Sequence, residues 1–376
     1  MNRAVLIRQT TYDVEALEKA VDRLFSAFDF YERISPGTEV VIKPNLVMRS
    51  APEEAIITHP NLVAAAALCL QKRGARVLVA ESGGGLYNPS VMKSVFRGCG
   101  YTAAAEKYGF SLYTACLSQP VELTRGVRCG TLSVLEPFVQ PRQSLVVNMA
   151  KLKTHGMMGY SGAIKNLFGT VPGLMKPELH CRYPEKEPFA EMLVDLCDYI
   201  QADFSIIDGI EAMEGDGPTG GQKRFVGALI GAQSPYAADL AGAAVIGMQP
   251  EEILMLKNAV ARGLCDDAPV TLEGDPLESV QVPDFKRARS SDVDFLTRVP
   301  KPLRPLAKKI TTPYPRIRRK DCVGCGKCAE SCPQHTIVVR DHKAQIDYGR
   351  CIRCFCCHEM CPKHVIDIRR FSIFNL

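Results

Sequence analysis

No apolar stretch in this 376-residue sequence approaches the roughly 18 to 20 residues that a membrane-spanning helix needs. The longest lies near LVAAAALCL at 62–70, and the N-terminal residues MNRAVLIRQTTYDVE lack the apolar region of a signal peptide. Hydrophobic residues make up 46% and charged residues 23%, a globular profile that excludes disorder, collagen and coiled coil. We therefore expect a soluble, unexported, cytoplasmic protein with no membrane span.

Two nucleotide-binding motifs are also missing. The sequence contains neither a Walker A motif nor GxGxxG, the glycine-rich patterns that hold the phosphates of nucleotides. A bound nucleotide therefore has no motif to support it. Against flavin this absence is only a weak argument, and flavin binding stays open.

The 16 cysteines fall into two groups. Seven are scattered through 1–283, and nine crowd into 322–361. A secreted disulfide scaffold is normally a short chain, whereas the dense group here has the spacing of metal ligands. This distribution favours the reducing cytoplasm. We interpret most of the scattered cysteines as small core residues.

The formal net charge of +5 conceals segments of opposite sign. Residues 284–320 carry 12 Lys and Arg against three Asp, whereas 1–283 has a net charge of −6. The basic segment has scattered proline and no sustained apolar period, so it predicts a surface linker. We divide the chain into a body (1–283), a basic proline-containing linker (284–313) and a tail (314–376). Nucleic-acid binding by the linker is disfavoured, because it has few aromatic residues and no recognised fold motif.

Strand-like and helix-like stretches alternate through the body. AVLIRQ precedes a helical pattern at DVEALEKAVDRLFSAF, and EVVIKPNLV precedes another at HPNLVAAAALCLQKRG. Near-continuous apolar strands such as LVVNM and FSIID suit a sheet that is covered on both faces. The body is therefore predicted to be an α/β domain with a mostly parallel sheet.

The tail contains the run C-x2-C-x2-C-x3-C-P twice. In such runs three cysteines bind one iron–sulfur cubane and the fourth binds the other. Paired zinc sites fit less well, because zinc usually takes two C-x2-C pairs a dozen or more residues apart, and disulfides fit less well still. The crossed pattern predicts Cys322, Cys325, Cys328 and Cys361 for cluster one and Cys351, Cys354, Cys357 and Cys332 for cluster two.

These cysteine runs resemble the bacterial two-cluster ferredoxin family over about residues 316–372. The resemblance implies a small α+β domain, two [4Fe–4S] clusters and a redox partner protein. Between the runs TIVVRDHKAQID predicts a β-hairpin, and HVIDIRR predicts a matching strand. Cys356 breaks the pattern, since it lies between two ligands. We interpret it as a non-ligand thiol near the cluster, with a redox or alternate-ligand role left open.

Polar residues of the body follow its predicted strands. Because ligands bind beyond the carboxyl ends of strands in an open α/β sheet, these residues predict one shared pocket. A single strand-end Lys or Asp is more often a solvated or capping residue, and the turn SGGG is as consistent with a tight turn as with a phosphate cradle. Repetition at four strand ends favours the pocket. The residues include Lys43 and Asn45 after EVVI, Glu81 after RVLVA, Lys151, Lys153 and His155 after LVVNM, and Asp208, Glu211 and Glu214 after FSII.

The strings VVIKPNLV, AKLKTHGMMGYSGAIKNLFG, KPELH and DGIEAMEGDGPTGG resemble the domain-of-unknown-function 362 family over roughly residues 3–283. This family is an α/β domain that is often fused to, or encoded beside, two-cluster ferredoxins, and its reaction is not generally established. The resemblance singles out Lys153, His155, Lys165, His180, Asp208 and Glu214 as catalytic candidates, Lys43, Asn45 and Asn166 as binding candidates, and Glu211 and Asp239 beside them. Cys181 directly follows His180, and a functional role for it stays open.

Two functions are consistent with these features. The first is an oxidoreductase in which the tail relays single electrons to a pocket in the body. The second is a non-catalytic electron carrier, or a metal or cofactor assembly factor, with the body as docking module. In the pocket, lysines favour an anionic small-molecule substrate over a further metal held by imidazole and carboxylate, because a metal site gains nothing from nearby ammonium groups.

Overall fold

The protein has an α/β body followed by a small α+β tail. A computed structural model describes residues 2–289 and 312–369. The body contains a large mixed sheet that is mostly parallel, and the tail contains short antiparallel strands. The predicted fold class is thereby confirmed. Most of the linker predicted at 284–313 lies outside the described residues.

The body strands are short except for three of eleven residues each. They are β1 (Arg3–Arg8), β2 (Glu39–Lys43), β3 (Arg76–Val79), β4 (Ser111–Leu112), β5 (Ser118–Glu122), β6 (Thr131–Leu135), β7 (Leu145–His155), β8 (Gly159–Ser161), β9 (Phe204–Glu214), β10 (Gln222–Ala232) and β11 (Thr271–Gly274). The large sheet runs in the order β11-β1-β10-β9-β7-β2-β3-β4, with β8 paired to β7, whereas β5 and β6 form a separate hairpin. Strands β9, β7, β2, β3 and β4 are mutually parallel, so their carboxyl ends meet at one edge.

Helices cover both faces of the sheet. In the body they are α1 (Val14–Ser26), α2 (Pro60–Gln71), α3 (Pro89–Gly98), α4 (Tyr101–Tyr108), α5 (Ala163–Asn166), α6 (Met175–Arg182), α7 (Lys186–Ile200), α8 (Pro235–Val245) and α9 (Leu254–Ala261). Helices α1 to α4 bury one apolar core, and α5 and α7 to α9 bury the other. Alternate residues of β2 follow this division, since Val40 and Ile42 belong to the first core and Val41 to the second.

Two strands are longer than their apolar runs predict. The sequence places Lys151, Lys153 and His155 after a strand, yet β7 continues through all three. Strand β9 likewise continues to Glu214. The additional part of β7 pairs with β8, and that of β9 pairs with β10, both in antiparallel fashion. These pairings provide hydrogen-bond partners for the backbone N–H and C=O groups where parallel pairing would otherwise end. The polar side chains are therefore held on rigid strands rather than on loops.

The described part of the tail, residues 314–369, contains two short helices and two antiparallel pairs of strands. Its elements are β12 (Tyr314–Ile317), α10 (Lys327–Glu330), β13 (Ile337–Arg340), β14 (Lys343–Ile346), α11 (Cys356–Glu359) and β15 (Ile366–Arg369). The predicted hairpin is β13–β14, and the strand predicted after Cys361 is β15, which pairs with β12. No helix within the described residues is long and apolar enough to cross a membrane.

Candidate functional site between the body and the tail

A cavity of about 80 Å³ lies between the carboxyl edge of the sheet and the tail. We call it the composite cavity, because both parts of the chain line it. The polar side chains of the body that line it include Asn45, Glu81, Lys153, Lys165, Lys176 and His180. The tail contributes Ser331, Cys356, Glu359 and Met360. Of the residues that the sequence singles out, the structure thus brings Lys153, Lys165, His180, Asn45 and Asn166 to one cavity.

A buried ion pair between Lys43 and Glu81 forms the floor of the composite cavity on the side of β2 and β3. The Lys43 ammonium donates to the Glu81 carboxylate and, at 2.8 Å, to the carbonyl of Pro44. Both side chains are at most 2% exposed. Burial lowers the pKa of Lys43, and the Glu81 carboxylate opposes that effect. Gly169 passes directly over the pair, and a Cβ at this position would collide with both charged groups. Only glycine fits there, because the pair needs the loop backbone close above it.

Helix α5 carries Lys165 and Asn166 into the cavity. The amide of Asn166 donates to Asn148 Oδ1 at 2.8 Å and to the carbonyl of Lys43 at 3.3 Å, which joins the helix to β2 and β7. Buried Asp239 accepts from the backbone N–H groups of Ala163 and Ile164 at the start of α5. Burial raises the pKa of Asp239 to about 7. Asp239 therefore positions the helix that presents Lys165.

Lysine side chains line the cavity from three directions. Lys153 donates to Asn45 Oδ1 at 2.6 Å and to the carbonyl of Ile56 at 2.8 Å. Burial, together with the neighbouring Lys165 ammonium, lowers the pKa of Lys153 well below its usual range. Burial also lowers the pKa of Lys165, whose Nζ lies 5.8 Å from the centre of the Phe168 ring. Burial thus disfavours the charged form of both lysines, and the neighbouring Glu359 carboxylate opposes that effect at Lys165.

Lys176, on α6, is the third cavity lysine. Its Nζ donates to the carbonyl oxygens of Ser82 and Gly83, the latter at 3.0 Å. Burial lowers the pKa of Lys176 to about 7. A neutral amine has two N–H groups and can keep both bonds, so this side chain can lose or gain a proton without rearranging.

His180 lies about one turn after Lys176 on α6 and stacks on Phe189, with ring centres 4.3 Å apart. It is 4% exposed, and burial lowers its pKa to about 4. Within the described residues its Nδ1 has no hydrogen-bond partner. A neutral imidazole at the cavity wall is thus left with one unused polar atom.

His155 connects the end of β7 to the tail. Its Nδ1 accepts from the backbone N–H groups of Met157 and Met158 at 3.1 and 3.2 Å, so the proton of the neutral ring is on Nε2. That nitrogen lies 3.1 Å from Oε1 of Glu359. Burial lowers the pKa of His155 to about 3. Burial by itself raises the pKa of Glu359, but the neighbouring His155 and Lys165 outweigh it, and the net direction is downward.

Three acidic candidates lie away from the composite cavity. Asp208 accepts from Lys151 Nζ at 3.0 Å, from the Tyr12 hydroxyl at 2.8 Å and from the backbone of His59, so its oxygens already have donors. Glu214 accepts from the backbone N–H of Lys286 at 3.1 Å. Glu211 lies 3.1 Å from the Lys223 ammonium. Since β9 continues past Asp208, these carboxylates are spread along a strand instead of converging at its end.

The second half of the DGIEAMEGDGPTGG string contacts the tail. His358 has one ring nitrogen beside the carbonyl of Ile366 and the other 2.9 Å from the carbonyl of Asp216. The Thr219 hydroxyl donates to the carbonyl of Glu359 at 3.1 Å. We call residues 215–221 the docking loop. On the other side of the cavity Met360 packs against Gly84, where a Cβ would collide with the thioether.

The eight predicted ligands surround two further cavities in the tail. One is lined by Cys322, Cys325, Cys328 and Cys361, and the other by Cys332, Cys351, Cys354 and Cys357. Backbone N–H groups point at the sulfurs, from Ala344 to Cys322 at 3.4 Å and from Thr336 to Cys332 at 3.3 Å. Four soft thiol donors per cavity, with amides directed at sulfur, fit a [4Fe–4S] cluster in each. Within 2–289 and 312–369, no three His, Cys, Asp or Glu side chains converge on one metal ion.

Several cavity residues are absent from the candidates that the sequence supplies. Glu359, Met360 and Ser331 belong to the tail, where attention falls on the cysteines. Lys176 is the first residue of KPELH, but that string draws attention to its histidine. Gln334 also reaches the body, because its amide donates to Cys181 Sγ at 3.1 Å. The sequence feature that could have indicated the tail's part of the cavity is Cys356. It is an extra thiol within a run of ligands, which indicates a side chain directed away from its cluster.

Comparison with known proteins supplies the following similarities. Residues 40–244 match a family described as a domain of unknown function (DUF362), and residues 314–362 match a 4Fe-4S dicluster domain. A thylakoid-associated protein of Synechocystis is 32% identical over 257 residues, which cover 66% of this chain and 75% of that protein. A crystal structure of a protein from Thermotoga maritima aligns at 10% identity with a TM-score of 0.37. That alignment covers 63% of this chain and 59% of the other, less than two thirds of its length.

Proposed function

The chain belongs to the family of the domain of unknown function DUF362 and carries a 4Fe-4S dicluster domain, and from this premise we propose that it is an iron–sulfur oxidoreductase. The eight cysteines of the tail would hold two clusters, which would supply single-electron exchange with a small anionic substrate in the composite cavity. The proposal includes the crossed ligation by the two cysteine runs. It also includes a cytoplasmic location, because reduced thiolates are kept in reducing compartments.

One observation carries the proposal. Ser331 and Cys356 line the composite cavity, and each directly precedes a predicted ligand of cluster two, Cys332 and Cys357. The wall of the cavity is therefore built from the same backbone that surrounds that cluster. When bound, [4Fe–4S] clusters supply one electron at a time, with low potentials being ordinary. A molecule in the cavity would lie beside two residues that directly precede ligands of cluster two.

The charges of the cavity favour an anion. Lys153 and Lys165 are held on β7 and α5; burial lowers the pKa of both, and the Lys165 ammonium lowers that of Lys153 further. A bound anion would add negative charge beside them and favour the charged lysines. His180 offers its unused ring nitrogen to the same ligand, and the hydrogen bonds to Asn45 and Ile56 fix the direction of Lys153.

Proton movement is assigned to Lys176. Reduction of an organic or inorganic anion commonly requires protons with the electrons, and a general acid works best when its pKa is near the operating pH. Lys176 meets this condition, with a pKa of about 7, and its bonds to two carbonyl oxygens hold Nζ in place in both protonation states. Its role is to hold and release that proton at the cavity wall.

The test uses inorganic phosphate and oxalate as probes on anaerobic protein with its clusters reduced. We expect either anion to change the EPR spectrum, because it binds beside cluster two. The change should be lost in Lys165→Gln and kept in the matched control Lys93→Gln, an exposed lysine on α3. Metal analysis and mass spectrometry of the intact anaerobic protein would identify a small molecule that co-purifies.

The alternative is a non-catalytic electron carrier or assembly factor. It would be favoured if neither anion altered the EPR spectrum, no small molecule co-purified, and Lys165→Gln behaved like the control. In that case the lysines would serve only to fix the tail on the body.

A further inference from the structure

The eight predicted cluster ligands differ in their exposure to solvent. Cys325 is exposed, Cys351 is half-buried, and the other six are buried. Val323, two residues before Cys325, is 54% exposed, although it lines the cavity of cluster one. Cluster one would therefore lie directly beneath the molecular surface at this point.

Cluster two lies closer to the rest of the chain. Its neighbours Ser331 and Cys356 face the composite cavity. Near its half-buried ligand Cys351, the guanidinium of Arg353 already donates to the carbonyl of Thr312 at 3.1 Å. The two clusters thus have different surroundings, with one facing solvent and the other facing the body.

The surface around Cys325 is basic. Arg319, Lys320, Lys327 and Lys363 are all exposed. Of the acidic groups nearby, Asp321 pairs with Arg318 at 3.0 Å, Glu330 pairs with Lys327 at 2.8 Å, and Asp341 is exposed. Exposed basic residues therefore outnumber acidic ones around the exposed apolar residue Val323, and such a surface is the complement of an acidic protein surface.

We propose that the surface formed by Val323, Cys325, Lys327 and Lys363 is the docking site for a small, acidic electron-carrier protein. When bound by Cys322, Cys325, Cys328 and Cys361, cluster one would exchange single electrons with the carrier there, and cluster two would connect cluster one to the composite cavity. This inference goes beyond the proposed function, because it identifies the class of redox partner and the face it uses. It holds whether the cavity is catalytic or not.

The experiment uses a plant-type [2Fe–2S] ferredoxin, a small acidic carrier, as the probe. Reduction of the full-length protein by this carrier is followed by stopped-flow absorbance, and binding is followed separately by fluorescence anisotropy of the labelled carrier. Reversing two charges, in Lys327→Glu with Lys363→Glu, should lower both the rate constant and the affinity about tenfold at low salt. Raising the salt concentration should abolish most of the difference between variant and wild type.

The matched control is Arg350→Glu, which reverses an exposed charge beside Cys351 of cluster two. It should leave the rate and the affinity unchanged, and all variants should retain their iron. The proposal is overturned if Arg350→Glu weakens binding more than the double variant does. It is also overturned if the double variant leaves carrier binding intact, even if it loses binding to vesicles of anionic lipid.

Discussion

At the scale of single residues, the composite cavity is defined by its buried lysines. Lys153, Lys165 and Lys176 approach it from β7, α5 and α6, and burial lowers the pKa of each. Among the described tail residues that line the cavity, Glu359 is the acidic one, and it lies beside His155. Binding of an anion should therefore be linked to binding of protons.

Phosphate binding should take up protons in a manner that depends on pH. The pKa of Lys176 is about 7 in the free cavity, so at pH 8 most molecules carry the neutral amine. A bound anion raises that pKa, and protons are taken up at pH 8 but much less at pH 6, where the ammonium is already present. Isothermal titration calorimetry in buffers of different ionisation enthalpy measures the uptake. Lys176→Met should reduce it, and equal uptake at both pH values would exclude Lys176 as its source.

His180 should make the folded state sensitive to acid. Its pKa is lowered to about 4 in the folded protein, below the ordinary value of 6.5. The neutral His180 ring therefore makes its full contribution to the free energy of unfolding above pH 6.5. That contribution is lost as the pH falls toward 4, since only the unfolded chain binds the proton. Between pH 7 and pH 5 the loss is about 2 kcal/mol. Anaerobic denaturant titrations should show a smaller loss in His180→Phe, and identical pH dependence in both proteins would contradict the assignment.

At the scale of elements, the docking loop and the turn around α11 hold the tail on the body. Gly220 permits this contact, because a Cβ there would collide with the His358 ring. Gly220→Ala should displace the tail while both clusters remain, since all eight predicted ligands come from the tail itself. Limited proteolysis would show faster cleavage, and iron analysis would show normal content. Gly130→Ala is the control, because its Cβ would have open space; loss of iron in Gly220→Ala would contradict independent cluster binding.

The crossed arrangement of the cysteine runs makes a second prediction at this scale. Cys332 follows the first run but lies in the cavity of the second set of cysteines. Cys332→Ser should therefore damage cluster two and spare cluster one, leaving about four irons of the roughly eight expected for two cubanes. Iron and sulfide analysis with EPR of the reduced protein measures this outcome. Retention of cluster two with loss of cluster one would contradict the crossing.

The sequence predicts local motifs and secondary-structure elements better than it predicts which distant side chains come together in one site. Spacing alone identifies both cysteine runs and the hairpin between them, because metal ligands and turns are local features. The polar residues at the end of β2 and within β7 could also be located, as Lys43 and Lys153 illustrate. Asp208 could not be separated from them, since only the antiparallel pairing of β9 with β10 shows that its strand continues. Glu359 could not be found at all, because its position depends on the contact between the two parts of the chain.

At the scale of the whole molecule, the body should fold without the tail. Both apolar cores of the sheet are built from residues that precede the tail, including Phe285 of the linker, and the tail has a small core of its own. Removal of 314–376 should leave a folded, colourless protein that has lost phosphate binding, since Glu359 and its neighbours no longer close the cavity. Circular dichroism tests whether the truncated protein is folded, and titration calorimetry tests whether it has lost phosphate binding. Insoluble material after truncation would mean that the body depends on the tail for its core.

The composite cavity also bears on how this family can diversify. A tail that only supplied electrons could be exchanged for any other dicluster domain of similar potential. Here Cys356, Glu359 and Met360 form part of the wall that a substrate would touch. Grafting a foreign ferredoxin onto the body would therefore reshape substrate selectivity as well as electron supply, and the body and its tail must evolve as a matched pair.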